Sequence, residues 1–328
     1  MHFGLSEDDV ALREGLRELL ADACSSATIR AAWAGSACEQ LWTELGSFGL
    51  LGLLVDEQRG GLGLDHLAFV AAMEQAGWHG VPGPLVETVT YLPDSGLPLD
   101  GSARIAVQRP GAVHVPYAAV ATHVFREDDL TLLSSFRADP ATSVDLSRRL
   151  AVVQGQDPPD RSGSPVVSVV SAEQHEAAGG KPPRPPASLA ATLGTAAFLL
   201  GLARRQIDVT VSYVKDRTQF GVPIGSFQAV KHPLADAVVG TEFAWPAVLR
   251  AAHSLATADP QAPLHVSMAK ALASDASYRV SRVCLQAHGA MGYTVEYDLH
   301  LFAKRTWAMA KDWGSADEHR EMIARELL

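Results

Sequence analysis

Two segments carry the residue types best equipped for chemistry. The first runs Arg217-Thr218-Gln219-Phe220-Gly221, with Phe227-Gln228 a few residues on. The second runs Gln286-Ala287-His288-Gly289-Ala290-Met291-Gly292-Tyr293-Thr294. A guanidinium offers a planar fork of donors that matches phosphate oxygens, and a lysine would be a poorer replacement. Glycine lets backbone amides come close to a ligand that a side chain would hold off. Taken singly, each piece has a plainer reading. Arg217 alone at a helix C-terminus is an ordinary cation complementing the dipole. Phe220-Gly221 alone is a helix stop with a core aromatic. His288, beside a glycine turn and with no partner nearby in sequence, is structural. Gly60-Gly61-Leu62-Gly63 is a breaker and not a phosphate cradle, since no strand precedes it and no Lys-Ser/Thr comes after it. The three cysteines, Cys24, Cys38 and Cys284, lack metal-ligand spacing.

The elements that must position these segments differ in texture along the chain. Ser6, with Asp9 three residues on, opens a helix in which Val10, Leu12, Leu16, Leu19 and Leu20 recur at helical spacing. Further helices are predicted over Cys38 to Leu45 and Leu67 to Gly77. Pro82-Gly83-Pro84 and Pro93 to Pro98 punctuate the next stretch of chain. Short apolar runs then predict strands: Ile105 to Val107, Val120 to Phe125, Leu130 to Leu133, Leu150 to Val153 and Val166 to Val170. Gly179 to Pro186 is a linker by composition. Beyond it long helices are predicted over Ser188 to Arg217, Ser226 to Ala256 and Pro263 to Ala287, with one or two more from Tyr297. Trp42, Trp78, Trp245 and Trp307 are read as packing residues. The fold class is α+β and mostly α. An N-terminal helical domain spans 1–98, a reduced middle β domain 99–180, and a C-terminal four-helix-type bundle 187–328.

Bulk numbers narrow the classes. At 328 residues and 47% hydrophobic, the chain has length and apolar content for a large core. A formal net charge of -10 disfavours nucleic acid, whose backbone needs a basic face. Few, odd-numbered and scattered cysteines argue for a reducing compartment. The first residues, Met1 to Asp9, lack the basic and apolar regions of a signal peptide. No run is read as long and apolar enough to span a bilayer. A cytoplasmic location, no membrane and no metal are therefore expected.

The two opening segments resemble the flavin-contacting signature of the acyl-CoA dehydrogenases. Leu51 to Gly63, with Glu74-Gln75-Ala76-Gly77 after it, is similar to the N-terminal segment of that family, and the domain order agrees. The resemblance covers both ends of the chain, with a weak, shortened middle. It implies an FAD-dependent oxidoreductase that introduces an α,β double bond into an acyl-CoA thioester. It further implies FAD lying at a subunit interface. Arg217 would pair with the pyrophosphate, Phe220 would pack near the adenine half, and Gln228 would hydrogen-bond there. Gln286, Gly289, Ala290 and Gly292 would bring the second segment to the same cofactor.

The chain departs from the family where the reaction is done. A carboxylate must remove the α-proton, and most members carry a glutamate before a Gly-Thr or Gly-Ser step. Here the register of Lys311-Asp312-Trp313-Gly314-Ser315 places Trp313 at that position, and an indole cannot accept the proton. The alternative family position, at the start of the first bundle helix, falls near Ala191, with Thr192 where an arginine often contacts CoA. The catalytic base is thus unassigned, with Asp312 the nearest acid. Elements offered to a neighbour's flavin are kept, and those holding the reacting end are lost. The expectation is a supporting subunit that completes the FAD site of a paralogous chain (α2β2). Its substrate would be an acyl-CoA with a bulky group such as a steroid side chain. The alternatives are a self-sufficient homodimeric dehydrogenase using a displaced base, and a flavin-dependent oxygenase or non-enzymatic binding protein on the same fold.

Overall fold

The computed structural model describes residues 4–155, 167–168 and 184–328. The linker expected over Gly179 to Pro186 lies outside these residues up to Pro183, as do Val166, Val169 and Val170 of the last apolar run.

The N-terminal stretch holds helices α1 (Glu7–Ala23), α2 (Ser26–Ala34), α3 (Glu39–Ser47), α4 (His66–His79) and α5 (Leu85–Ser95). Among the described residues seven strands come next: β1 (Ile105–Gln108), β2 (His114–Val115), β3 (His123–Arg126), β4 (Thr131–Leu133), β5 (Phe136–Pro140), β6 (Ala151–Gly155) and β7 (Val167–Ser168). The rest comprises α6 (Ala187–Asp216), a hairpin of β8 (Thr218–Gln219) and β9 (Val222–Pro223), α7 (Gln228–Ala256), α8 (Ala262–His288), α9 (Leu299–Met309) and α10 (Ala316–Leu327).

The chain divides into two compact units. The first comprises Met1–Asp22, His66–Gly80 and Ser188–Leu328; the second comprises Ala23–Asp65 and Val81–Ala187. The region expected as one N-terminal domain, 1–98, therefore contributes to both. In the first unit α7 packs against α8 and α4, and α10 against α8. Ser6 and Asp9 exchange hydrogen bonds at the start of α1: the Asp9 carboxylate accepts from the Ser6 N–H at 2.8 Å, and the Ser6 hydroxyl from the Asp9 N–H at 3.1 Å. Helices α4 and α6 touch backbone to backbone through glycines. A Cβ on Gly77 would lie 2.1 Å from the Phe198 carbonyl oxygen, and one on Gly201 would lie 2.0 Å from that of Glu74. Helix α6 corrects the expectation that no run has the length and apolarity to cross a membrane: by composition it does, and 78% of its most apolar window is buried inside the protein. Such burial is the property of a core helix, which meets the same length and composition test.

In the second unit, β1 pairs parallel with β3, which pairs antiparallel with β4 and so to β7. A separate sheet orders β2, β6 and β5, all antiparallel. Ala106, Val115, Ala118, Val124 and Ala151 form a small core in this unit. Helices α2 and α5 and strands β2 and β5 are additions to the sequence reading. Ser25 caps α2 by accepting from the Thr28 N–H, and Gly35 ends it in left-handed conformation. The alanine-rich stretch between carried too little apolar periodicity to register. Helix α5 starts directly after Pro84 and carries Pro93 in its last turn, where the missing N–H removes one helical hydrogen bond close to the helix end.

Candidate functional site

Helices α6 and α8 both deliver their C-termini, and α7 its N-terminus, to one end of the bundle in the first unit. The side chains that join them are aromatic. Tyr213 of α6 stacks on His288 of α8 with centroids 4.2 Å apart, and Tyr297 packs against both. The two sequence segments singled out for their chemistry are therefore brought together in space.

The turn carrying Phe220 is not a simple helix stop. Gln219 pairs with Val222, leaving Phe220 and Gly221 as a two-residue hairpin loop, with φ of 53° and 80°. Positive φ at both central positions is the type I′ pattern, which suits the twist of the flanking strands. Phenylalanine is a costly occupant of the first position, and it is 93% exposed. Its one ring neighbour among the described residues is Phe227, edge-on at 6.2 Å. The Phe220 side chain is thus no core aromatic.

Arg217 sits just past the end of α6, exposed. Its backbone N–H donates to the Tyr213 carbonyl and its own carbonyl accepts from the Ile224 N–H at 2.8 Å, which ties the hairpin to the helix. Its guanidinium makes no ion pair among the described residues. Gln228 is the first residue of α7, exposed, and Phe227 before it supplies no side-chain cap. The Val230 N–H donates to the Phe227 backbone carbonyl at 3.0 Å, no side chain of the cap residue serves the N–H groups before it, and the dipole favours an anion there. Gln286 and Ala290 are exposed. Gly289 adopts φ 56°, ψ -135°, and a Cβ on it would meet nothing within 4 Å. Gly292 differs: it is buried, and a Cβ would lie 3.1 Å from His288 and 3.2 Å from Leu285. The Nδ1 of His288 lies 2.8 Å from the Cys284 carbonyl oxygen, so this nitrogen carries the proton. Its Nε2 is buried without a partner among the described residues. Burial holds the pKa of His288 below 6.5.

Trp313 lies in the tight loop between α9 and α10, at φ 58° and 7% exposed. Three features hold this loop. Lys270 of α8 is fully buried, and its ammonium donates to the carbonyls of Ala310 at 3.2 Å and Gly314 at 2.8 Å and to the Ser274 hydroxyl at 3.0 Å. His319 Nε2 lies 2.9 Å from the Trp313 carbonyl oxygen and donates to it. Gly314, at φ 100°, leaves room for that imidazole, which a Cβ would approach to 2.8 Å. Ser315 and Glu318 then form a capping box that starts α10. Asp312 is also buried, with its N–H on the Met309 carbonyl. Ala191 is buried on α6, and the Thr192 hydroxyl donates back to Ser188, so neither residue brings an acid to the second base position.

Sequence reasoning missed Lys270. Its signal was a cation on the apolar stripe of α8, in step with Val266, Ala273, Ser277 and Val280, all buried. It also missed a buried ion pair, Glu74 with Arg204 at 2.8 Å.

The residues around the bundle end suit a bound dinucleotide: a guanidinium with no ion pair among the described residues, an outward aromatic held at backbone cost, and the N-terminus of α7 without a side-chain cap. Residues 191–328 match the family model for the acyl-CoA dehydrogenase C-terminal domain, and residues 6–92 that for the N-terminal domain. Acyl-CoA dehydrogenase IpdE2 from Mycolicibacterium smegmatis is 30% identical over 98% of this chain and 100% of its own. In fold, the chain resembles the ChsE4-ChsE5 complex from Mycobacterium tuberculosis, with TM-score 0.79 and 21% identity, covering 100% of this chain and 99% of the other. It resembles the Tcur3481-Tcur3483 steroid ACAD similarly, with TM-score 0.76 and 22% identity over 97% of each chain.

Proposed function

Because the chain belongs to the acyl-CoA dehydrogenase family, we propose that it is the supporting subunit of a heteromeric dehydrogenase, completing the flavin site of a related chain that carries the base. The family is one of FAD-dependent oxidoreductases, and FAD is the cofactor. When bound, FAD supplies the hydride acceptor for α,β-dehydrogenation of an acyl-CoA.

The protein's own residues do the holding. Arg217 neutralises pyrophosphate charge through its fork of donors. Phe220 covers an aromatic face of the adenosine half. Gln228 and Gln286 offer amide hydrogen bonds beside it. Gly289 keeps its backbone open to the ligand, with Ala290 presenting the smallest side chain next to it. Gly292 keeps the segment close against His288.

The observation that carries the reading is Trp313. It stands at the family's base position, buried, in a loop fastened by Lys270 and His319. No proton can be taken from a substrate by an indole, and hydrogen bonds from Lys270 and His319 hold the loop that presents it. Support for a two-chain assembly comes from the fold likeness to the ChsE4-ChsE5 complex. The likeness to a steroid ACAD supports a bulky acyl group as the substrate. A second reading keeps the chain self-sufficient with Asp312 as base, because that carboxylate is buried one residue away. The register puts Trp313, not Asp312, at the base position, and the loop that holds both is fastened by Lys270 and His319, which ranks it lower.

The deciding experiment measures flavin content and acyl-CoA-dependent flavin bleaching, on this chain alone and co-expressed with its paralogue. The expected result is that only the pair holds flavin and bleaches. In that pair Trp313→Ala keeps most turnover, and loss of the partner's base abolishes it. Robust turnover by the isolated chain, lost in Asp312→Asn, would establish the second reading instead. Rapid reaction of the reduced flavin with oxygen would point to an oxygenase.

A further inference from the structure

His288 is the residue through which the two segments at the bundle end meet. It closes α8, and its Nδ1–H donates to the Cys284 carbonyl at 2.8 Å. Its ring lies on that of Tyr213 with 16° between the planes, and Tyr297 packs against it at 4.9 Å. Tyr213 is tied in turn to the hairpin, because its carbonyl accepts from the Arg217 N–H at 2.9 Å and the Arg217 carbonyl accepts from Ile224. On the side of the second segment, Gly292 sits so close that a Cβ on it would lie 3.1 Å from the Cβ of His288. A continuous path of contacts therefore runs from the hairpin through one imidazole to the glycine segment. That imidazole is 3% exposed, and its Nε2 has no hydrogen-bond partner among the described residues.

The charged groups of the surrounding elements do little to welcome a proton there. On α6, Lys215, Asp216 and Arg217 follow Tyr213 and are exposed. On α8 itself, Arg279 and Arg282 are exposed. From α7, Val230 and Leu234 join the apolar cluster that holds Tyr213 and Tyr297, while Lys231 and His232 are exposed. Ahead of α9, burial and then Tyr213, Asp298 and Asp216 push the Tyr297 hydroxyl up. Helix α9 carries Lys304 and also His300, whose Nε2 lies 3.4 Å from the Val295 carbonyl oxygen. Burial holds His288 below its usual pKa against the Cys284 carbonyl, which raises it.

We propose that His288 is a positioning residue for the cofactor: its uncharged ring, stacked on Tyr213 and closed by Tyr297, clamps the Arg217 hairpin to the Gln286–Gly292 segment, and gaining a proton opens the clamp. A proton on Nε2 puts a charge and a second N–H where the described residues supply no acceptor, and the ring then leaves the stack for water. The clamp is complete above pH 6.5 and is lost as the pH falls through the lowered value. The positioning role rests on the flavin reading of the two segments; the clamp is a property of the chain without flavin.

The test compares about pH 7.5 with about pH 5, on either side of an ordinary histidine titration. Hydrogen exchange on the isolated full chain, corrected for the intrinsic pH dependence of exchange, reads the amides of Arg217 and Ile224. Their protection is expected to fall about tenfold or more at the lower pH, since each pH unit of titration is worth about a factor of ten. The amides of Val266 and Ala269, at the far end of α8, should keep theirs. In the co-expressed assembly, flavin loss on dilution should speed up by a similar factor. His288→Phe keeps a ring for Tyr213 but takes no proton, so both readouts should lose their pH dependence. If that variant does not fold, His288→Asn decides: it offers the Cys284 carbonyl a donor without a ring or a titration, so exchange and flavin loss should be fast at both pH values. Protection at Arg217 and Ile224 that ignores pH in the parent, or that keeps its pH dependence in a folded variant, overturns the proposal and leaves the flavin reading standing. The expected exchange pattern in a chain whose assemblies hold no flavin refutes the flavin reading, and the positioning role with it.

Discussion

Phe220 is held in left-handed backbone, which costs a non-glycine residue about 1–2 kcal/mol, and it exposes nearly all of its ring to solvent. A residue with two penalties and only one edge-on ring contact among the described residues to offset them is retained for something outside the chain. Phe220→Asn would convert the loop to Asn-Gly, the preferred type I′ pair. The variant is expected to be more stable by about 1 kcal/mol in urea titration, while the assembled enzyme loses flavin faster on dilution. A variant that loses stability, or keeps flavin as the parent does, would sink this view. His288 gives a pH prediction. Burial lowers its pKa from 6.5, as it does for His79 and His123. The unfolded chain then binds protons that the folded chain refuses. Stability from these groups is complete above pH 6.5 and falls as pH drops below it toward the lowered values. Urea midpoints should decline from pH 7 to 5, and His288→Phe should flatten that decline.

At the scale of elements, the contact of α4 with α6 depends on what is missing from two residues. With Gly77 and Gly201 in place the backbones meet; a single methyl group on either would overlap a carbonyl oxygen. Gly201→Ala is expected to destabilise by about 3 kcal/mol, the upper end for overpacking a core, read as a lower urea midpoint at unchanged slope. The long helices α6, α7 and α8 were legible because apolar spacing repeats over many turns, and even Pro233 and Pro246 did not interrupt α7. The β8–β9 hairpin was not, since a phenylalanine at positive φ contradicts every local preference. Lys270 was legible only as a misplaced charge; that it fastens the Trp313 loop depends on carbonyls 40 and 44 residues away. The Arg217 and Gln286 segments could be read as one site from resemblance, but the Tyr213–His288 stack that joins them could not.

Across the whole molecule, the division into units escaped the sequence because it tracks contacts between distant segments: α1 and α4 join the bundle, while α2, α3 and α5 join the sheets. What the molecule leaves uncovered is as informative. On α7, Val239 and Phe243 stand one turn apart and are 52% and 77% exposed, and Leu272 and Tyr278 are exposed on the neighbouring α8. Val239 and Phe243 share one face of α7, and exposed apolar residues of this kind favour association. Phe243→Asp should shift the co-expressed assembly toward smaller species in sedimentation while each chain stays folded. An unchanged sedimentation profile would exclude this face. The left-handed backbone at Trp313 has one more consequence, written in codons. Tryptophan is encoded by UGG alone, and a glutamate codon differs from it in the first and second bases. Taken one base at a time, one route passes through a stop codon and the other through GGG, glycine. Glycine is the residue that φ 58° suits best, so a lineage regaining a carboxylate there would cross an intermediate that the backbone accepts, even as it gives up the buried indole.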